Sequence, residues 1–343
     1  MAASEAPPFW WEKPDWRAWT LWPLSSAYGL AASARLRSAK REKVPAAVLC
    51  IGNLTVGGEG KTPIAIALAR HAIARGLKVG FLSRGYGGTV SKPHFVNPEE
   101  DSARAVGDEP LLLARHAPTV VARDRIAGAH RLVRAGCELI IMDDGFQSAQ
   151  IHIDYALIVV DSWRGLGNGH VLPGGPLRAP LTEQMRFVDG VVTMGKGDAA
   201  EIVVRSASRA GRPVFSARVR PRSRQGFKGK RVLAFAGIGN PQKFYASLQE
   251  SGADIVKTHS FPDHHPFTEE EVGELSAIAE AEDLLLVTTE KDFVRLQRGP
   301  LAMREFAASV RVLMIEAVFD GARAPDLIIQ PALQAWRERM LGA

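Results

Sequence analysis

The sequence is poor in the features that mark several common protein classes. Only two of its 343 residues are cysteine, Cys50 and Cys137, and both lie beside or within apolar, strand-like runs, so neither a disulfide framework nor a zinc site is indicated. The first residues mix Glu5, Glu12 and Asp15 with aromatics and show no cleavage-site pattern, so a secretory signal is not expected and a reducing cytosol is. The strongest candidate for a spanning helix, Thr20 to Ala34, is uncharged for 15 residues. It is interrupted by Pro23 and serines, and a span needs ~20 apolar residues. Internal repeats and low-complexity tracts are absent. What is left is an ordinary globular composition, 46% hydrophobic and 23% charged, with length for about two domains. The net charge of +6 suits an anionic partner: nucleotide, nucleic acid or acidic lipid.

The stretch that organises the chain is Ala46 to Arg70, which reads as strand, glycine loop and helix. Gly57, Gly58 and Gly60 free the backbone so that successive N–H groups can point at phosphate oxygens, and the helix opened by Lys61-Thr62 adds positive partial charge. In such a loop the lysine reaches the β/γ-phosphates and the threonine hydroxyl ligates Mg²⁺. The usual pattern G-x-x-x-x-G-K-[ST] has glycine where this chain has Thr55.

Beyond the loop, apolar runs alternate with helical segments: Lys78 to Leu82, Thr119 to Ala122, Glu138 to Met142, Tyr155 to Asp161 and Gly190 to Met194. This predicts a P-loop NTPase-like α/β domain, a mostly parallel sheet with helices on both faces and the ligand at the strands' C-terminal ends. The basic, glycine-containing segment 220–231 reads as a linker, after which strands at Val232 to Ala236, near Asp254 to Lys257 and at Leu284 to Val287 restart the alternation in a second, smaller α/β unit. The expected organisation is therefore an N-terminal arm over 1–45, a core over 46–219, the linker, a smaller domain over 232–320 and a C-terminal helix over 321–343. The linker holds one aromatic, Phe227, too few to stack single-stranded nucleic acid, so no nucleic-acid partner is expected.

Phosphate-loop enzymes hold Mg²⁺ with a further acidic position at the end of another strand, and Asp143 and Asp144, after the apolar run ELIIM, fit that need. Transfer to an alcohol also uses a base. Asp108 and Glu109 in VGDEP are candidates, as is the cluster Asp263-His264-His265, although taken alone Asp108 reads first as a helix cap and the histidines as turn residues. Arg84, Arg123, Arg125, Arg164 and Arg178 are possible phosphate clamps.

Five of seven tryptophans, Trp10, Trp11, Trp16, Trp19 and Trp22, fall in the first 22 residues, and the basic run Arg35 to Lys43 follows. An arm lying on an anionic membrane surface accounts for this pattern. Packing of the same aromatics against the chain's own core is the alternative.

The ordered set IGNLTVGGEGKTP, SRGYGG, VGDEP, MDDGFQ, LPGGPLR, AGIGNP, FPDHH and VTTEKD resembles the tetraacyldisaccharide 4'-kinase family, the lipid A kinases of Gram-negative bacteria, over about residues 10 to 320. The resemblance implies transfer of the ATP γ-phosphate to the 4'-hydroxyl of a lipid A disaccharide 1-phosphate, with Mg²⁺, by a peripheral enzyme at the cytoplasmic face of the inner membrane. No obligate protein partner follows from it. The residues it implicates in ATP binding are Thr55, Val56, Gly57, Gly58, Glu59, Gly60, Lys61, Thr62 and Tyr86. Asp108 becomes the base, His264 its partner and Lys61 a third catalytic group. The expected metal set is Thr62, Asp143, Asp144 and Glu109, and Arg84, Arg125 and Arg178 are the expected phosphate or substrate contacts. The family commonly has PLRE where this chain has Ala179 after Arg178. A membrane-associated switch-type NTPase is the competing reading, supported by GGEGKT and by Lys196 to Asp198 in TMGKGD, but the N-K-x-D spacing of guanine readers is missing.

Overall fold

A computed structural model describes residues 6–57, 60–222 and 226–342. Eight strands form in order before the linker: β1 (Ala47–Gly52), β2 (Val79–Ser83), β3 (His94–Phe95), β4 (Thr119–Val121), β5 (Leu139–Asp143), β6 (Tyr155–Asp161), β7 (Gly190–Met194) and β8 (Val214–Pro221). After it come β9 (Arg231–Ala236), β10 (Asp254–Ser260), β11 (Leu285–Thr289), β12 (Arg311–Leu313) and β13 (Ile315–Phe319). The larger sheet runs β13-β8-β7-β6-β1-β5-β2-β4-β3, parallel throughout except at its two edge strands. The smaller sheet, β10-β9-β11-β12, is all parallel.

Both faces of β1 are buried, which explains its unbroken apolar run. Ala47, Leu49 and Ile51 pack with Ile64 and Leu68 of the helix Lys61–Ala74 and with Ile328 of the helix Ala324–Leu341. Val48 and Cys50 face the opposite way, toward Leu132, Ile140 and Met185. The smaller unit repeats the arrangement, with Leu233 and Phe235 on one face of β9 and Val232, Ala234 and Ala236 on the other.

Two boundaries differ from the sequence reading. Strand β13 leaves the smaller unit after Met314 and pairs antiparallel with β8, so residues 315–319 belong to the larger sheet instead of closing the smaller domain. Arg220 and Pro221 are likewise strand residues and not linker, because β8 extends to meet β13. The C-terminal helix packs on the larger unit, and residues 223–225 of the expected linker lie outside the described residues.

The two units meet through the helices Asp108–Ala114 and Glu290–Gln297. Val294 of the smaller unit is buried among Val106, Leu111, Leu112 and Val121 of the larger one. Between the units lies a cleft of about 1850 Å³. Ligand sites of roughly 300–1,000 Å³ suit a single small molecule, so this cleft has room for a nucleotide and part of a second substrate.

Candidate active site

The carboxyl ends of β1, β5 and β2 deliver the cleft's chemistry. The loop after β1 is fastened to the segment LPGGPLR: the Val56 amide donates to the Pro176 carbonyl (2.9 Å) and Arg178 Nε donates to the Thr55 carbonyl (2.9 Å). Gly60, at φ +86°, turns the chain into the helix Lys61–Ala74 in a conformation that L side chains rarely adopt. Lys61 is largely buried, its Nζ 3.3 Å from the Gly57 carbonyl and 3.9 Å from Asp144 Oδ1. Gly58 and Glu59 lie outside the described residues.

Thr62 Oγ1 donates to Asp143 Oδ2 at 2.9 Å, tying the loop to the end of β5. The other oxygen of that carboxylate, Oδ1, is buried without a hydrogen-bond partner. Burial, with Asp144 and Glu109 nearby, pushes the Asp143 pKa up to about 6 against the pull of Lys61. Asp144 adopts φ +53°, which aims its carboxylate toward Lys61 and Arg178 Nη2 (3.3 Å). Arg125 is buried beneath this turn with Nη2 3.4 Å from the Asp144 carbonyl, and desolvation lowers its pKa to about 10.

Where the larger unit meets the smaller, Asp108 opens its helix directly after Gly107, whose φ of +92° and 2.8 Å clearance to the Tyr86 carbonyl leave no space for a Cβ. Asp108 is no side-chain cap: its carboxylate is buried and bonded to the smaller unit instead. Asp108 Oδ2 receives His264 Nδ1 at 2.8 Å and Arg295 Nε at 2.8 Å. Burial alone would raise the Asp108 pKa, but these two partners hold it at about 2, and the same hydrogen bond raises the His264 pKa. His264 sits at φ +59°, so two of the three non-glycine residues with positive φ among the described residues are in this site.

Of the two candidate histidines, only His264 reaches Asp108. His265 Nε2 is bound by both oxygens of Glu271 (2.8 and 2.9 Å), and its ring stacks on Phe261. Tyr86 is exposed at the cleft, its ring centroid 6.3 Å from that of His264, and Arg84 beside it is also exposed. Glu109, expected next to the metal, is paired with Lys291 Nζ at 2.5 Å. That ion pair occupies the carboxylate with a side-chain cation, and Lys291 keeps the Glu109 pKa low despite burial.

This arrangement can hold a phosphate chain on the loop and offers, where the two units meet, a carboxylate able to accept a proton. Residues 17–332 match the family described as Tetraacyldisaccharide-1-P 4'-kinase. A protein of Chelativorans sp. strain BNC1 named tetraacyldisaccharide 4'-kinase is 80% identical over 341 residues, 99% of each chain. One of the same name from Mesorhizobium japonicum is 56% identical over 99% of each chain. The chain belongs to the tetraacyldisaccharide-1-P 4'-kinase family. The fold agrees: a crystal structure of LpxK from Aquifex aeolicus in complex with ATP superposes with a TM-score of 0.71 at 26% identity, covering 92% of this chain and 99% of that one. Membership decides between the kinase and the switch-type NTPase in favour of the kinase.

In this kinase the position after Arg178 offers no carboxylate. Ala179 is fully buried, and the carboxylate of the neighbouring Glu183 is paired with Arg37 of the helix Trp22–Ser38. Sequence reasoning also passed over Lys291 and Arg295, which carry the smaller unit's charge to Asp108 and Glu109. Their spacing of four places them on one helix face, a signal visible in EKDFVR although their partners are not.

Proposed function

We propose that this kinase transfers the γ-phosphoryl group of ATP to the 4'-hydroxyl of a tetraacyldisaccharide 1-phosphate, with Asp108 accepting the hydroxyl proton. The observation that carries this assignment of roles is the 2.8 Å contact between Asp108 of the larger unit and His264 of the smaller, a histidine that lines the same cleft as the loop lysine. Lys61 and the loop amides hold the phosphates, and Arg125 and Arg178 steady the turn at Asp144 and contact phosphate or sugar oxygens. The sugar oxygen attacks the γ-phosphorus, the bond from that phosphorus to the β,γ-bridging oxygen breaks, and ADP departs. A carboxylate with a pKa of about 2 is too weak to strip a free alcohol. It orients the hydroxyl and receives its proton late, as the new P–O bond makes that hydroxyl acidic, in keeping with a loose transition state. His264 steadies the Asp108 carboxylate and closes the site from the smaller unit.

The unpartnered, buried Asp143 Oδ1 beside the Thr62 hydroxyl suits a hard cation with oxygen ligands. Thr62, Asp143 and Asp144 are the residues assigned to Mg²⁺, directly or through water. When bound, the ion neutralises charge on the transferring phosphates.

The lipid's acyl chains stay in a bilayer, so the enzyme has to come to the surface. The arm supports this reading: Trp10 is buried, its Nε1 donating to the Pro173 carbonyl, whereas Trp16, Trp19, Trp22, Leu24 and Leu30 are exposed. Among the described residues no helix is long and apolar enough to cross a membrane. The proposed position is peripheral, on the anionic inner face of the inner membrane, with the exposed tryptophans as the contact. Incubation of the purified protein with labelled ATP and tetraacyldisaccharide 1-phosphate tests the proposal. Label is expected in a lipid product carrying a second phosphate at the 4' position and is expected to vanish with Lys61→Ala, and label released only as inorganic phosphate overturns the assignment.

A further inference from the structure

Arg295 reaches farther into the site than any role given to it so far. Its side chain is nearly inaccessible, yet it stands on a helix of the smaller unit and bonds to the larger one. Nε and Nη2 both donate to Asp108 Oδ2, at 2.8 and 2.5 Å. Nη1 donates to the Gly237 carbonyl (2.8 Å) and to Asp292 Oδ1 (2.7 Å). Asp292 is itself fixed, because its Oδ2 accepts from the Gly237 amide and from Thr289 Oγ1. The turn is tight at Gly237, where a Cβ would stand 3.2 Å from Asp292 Oδ1 and 3.3 Å from the Pro262 carbonyl, so both neighbours would have to give by a few tenths of an ångström.

The guanidinium is thus a rigid bridge whose far end is anchored in the turn after β9 and whose near end grips one oxygen of Asp108. His264 Nδ1 uses that same oxygen, so all three of these bonds converge on Oδ2. A planar carboxylate held by a planar fork at one oxygen has its rotation fixed. Its other oxygen, Oδ1, takes none of these bonds.

We propose that Arg295 is a positioning residue for phosphoryl transfer: it locks the Asp108 carboxylate so that Oδ1 faces the sugar hydroxyl, and it does so only when the smaller unit is docked. The proposal rests on the reading of Asp108 as proton acceptor. It adds a specific origin for the dependence of the reaction on contact between the units, since the residue that orients the acceptor arrives from the opposite unit.

The test is a kinetic cycle on the full chain with Arg295→Met, Arg295→Lys, Asp108→Asn and the double variant Asp108→Asn/Arg295→Met, measuring kcat and the KM for ATP. Arg295→Met is expected to lower kcat by ~10- to 10²-fold with the KM for ATP within ~3-fold, and Arg295→Lys, which keeps the charge without the planar fork, to recover only part of that loss. In the Asp108→Asn background the second change is expected to cost less than ~3-fold, because the group it positions is gone. An Arg295→Met kcat at the wild-type level, or the same loss in both backgrounds, overturns the proposal. If Asp108→Asn alone keeps wild-type kcat, the reading of Asp108 fails first and the proposal with it. Should Arg295→Met lose ATP binding through misfolding, Asp292→Asn loosens the bridge from its other end, and a wild-type kcat in that variant counts against the proposal equally.

Discussion

Replacing Trp16, Trp19 and Trp22 together by alanine should release the kinase from anionic vesicles while leaving its fold intact. The three side chains are 72%, 60% and 55% exposed, so they contribute little to the packed core. Taking ~150–250 Å² for a tryptophan side chain, each leaves ~90–150 Å² in contact with water, worth ~2–4 kcal/mol at ~25 cal/mol per Å² if fully removed. An interfacial indole keeps its N–H end among headgroups, so about half of that gain is realised, ~1–2 kcal/mol per ring. The triple variant should then lose ~3–6 kcal/mol of partition free energy, two to four decades in the partition coefficient. Cosedimentation with vesicles over a range of lipid concentrations measures this, with thermal unfolding and ATP binding as controls for the fold. Wild-type partitioning by the triple variant would refute the argument that this arm is the membrane contact, and loss of ATP binding would show that the exposed rings stabilise the enzyme itself.

Two further outcomes follow from the geometry around Asp108. Gly107→Ala places a Cβ 2.8 Å from the Tyr86 carbonyl at a φ of +92°, and should destabilise the enzyme by ~1–3 kcal/mol in urea unfolding and lower kcat, because the next residue carries the acceptor carboxylate. An unaltered unfolding midpoint would mean that this turn is not strained as described. The Asp108 pKa lies at about 2 in the folded protein against 3.8 for a free aspartate, so the folded state binds fewer protons than the unfolded one between those values. The pair therefore adds stability that is fully present above pH ~4 and is lost as pH falls toward ~2, on the order of 2 kcal/mol for this shift. Stability curves of wild type and Asp108→Asn should converge as pH drops through that window, and a constant gap would contradict the linkage.

The parts of the fold that were legible from sequence are those in which both faces of a strand are buried. Ala47–Gly52, Leu139–Asp143 and Tyr155–Asp161 read as continuous apolar runs because helices cover the sheet on each side. Strand β8 was not legible. Its sequence, VFSARVRP, alternates apolar with charged residues, and Arg218 and Arg220 pair with Asp320 and Glu316 at the sheet's edge, so its end passed for a basic linker. For the same reason β13 was assigned to the smaller unit: chain order places it there, and only the pairing with β8 carries it back.

The site divides along similar lines. The phosphate loop, the paired aspartates after β5 and the two motifs VGDEP and FPDHH announce themselves by glycine content and by carboxylates at the ends of apolar strands. Which histidine turns toward Asp108 depends on the left-handed backbone at His264 and on the Glu271 contact that claims His265, neither of which has a local sequence signature. Arg295 and Asp108 are 187 residues apart, and Lys291 and Glu109 are 182 apart. Pairs at such separations are set by docking of the two units, so each arginine and lysine taken singly reads as a solvated surface charge.

The central claim is that the acceptor hydroxyl meets a carboxylate of one unit that is held by a histidine of the other. Single-turnover transfer to tetraacyldisaccharide 1-phosphate at saturating ATP, compared for wild type, Asp108→Asn and His264→Gln, tests it most directly. The account predicts that both variants bind ATP normally while the chemical step slows, by ~10²- to 10⁴-fold for Asp108→Asn and by a smaller factor for His264→Gln. A wild-type transfer rate in either variant, or a loss that disappears when ATP is raised, would contradict it.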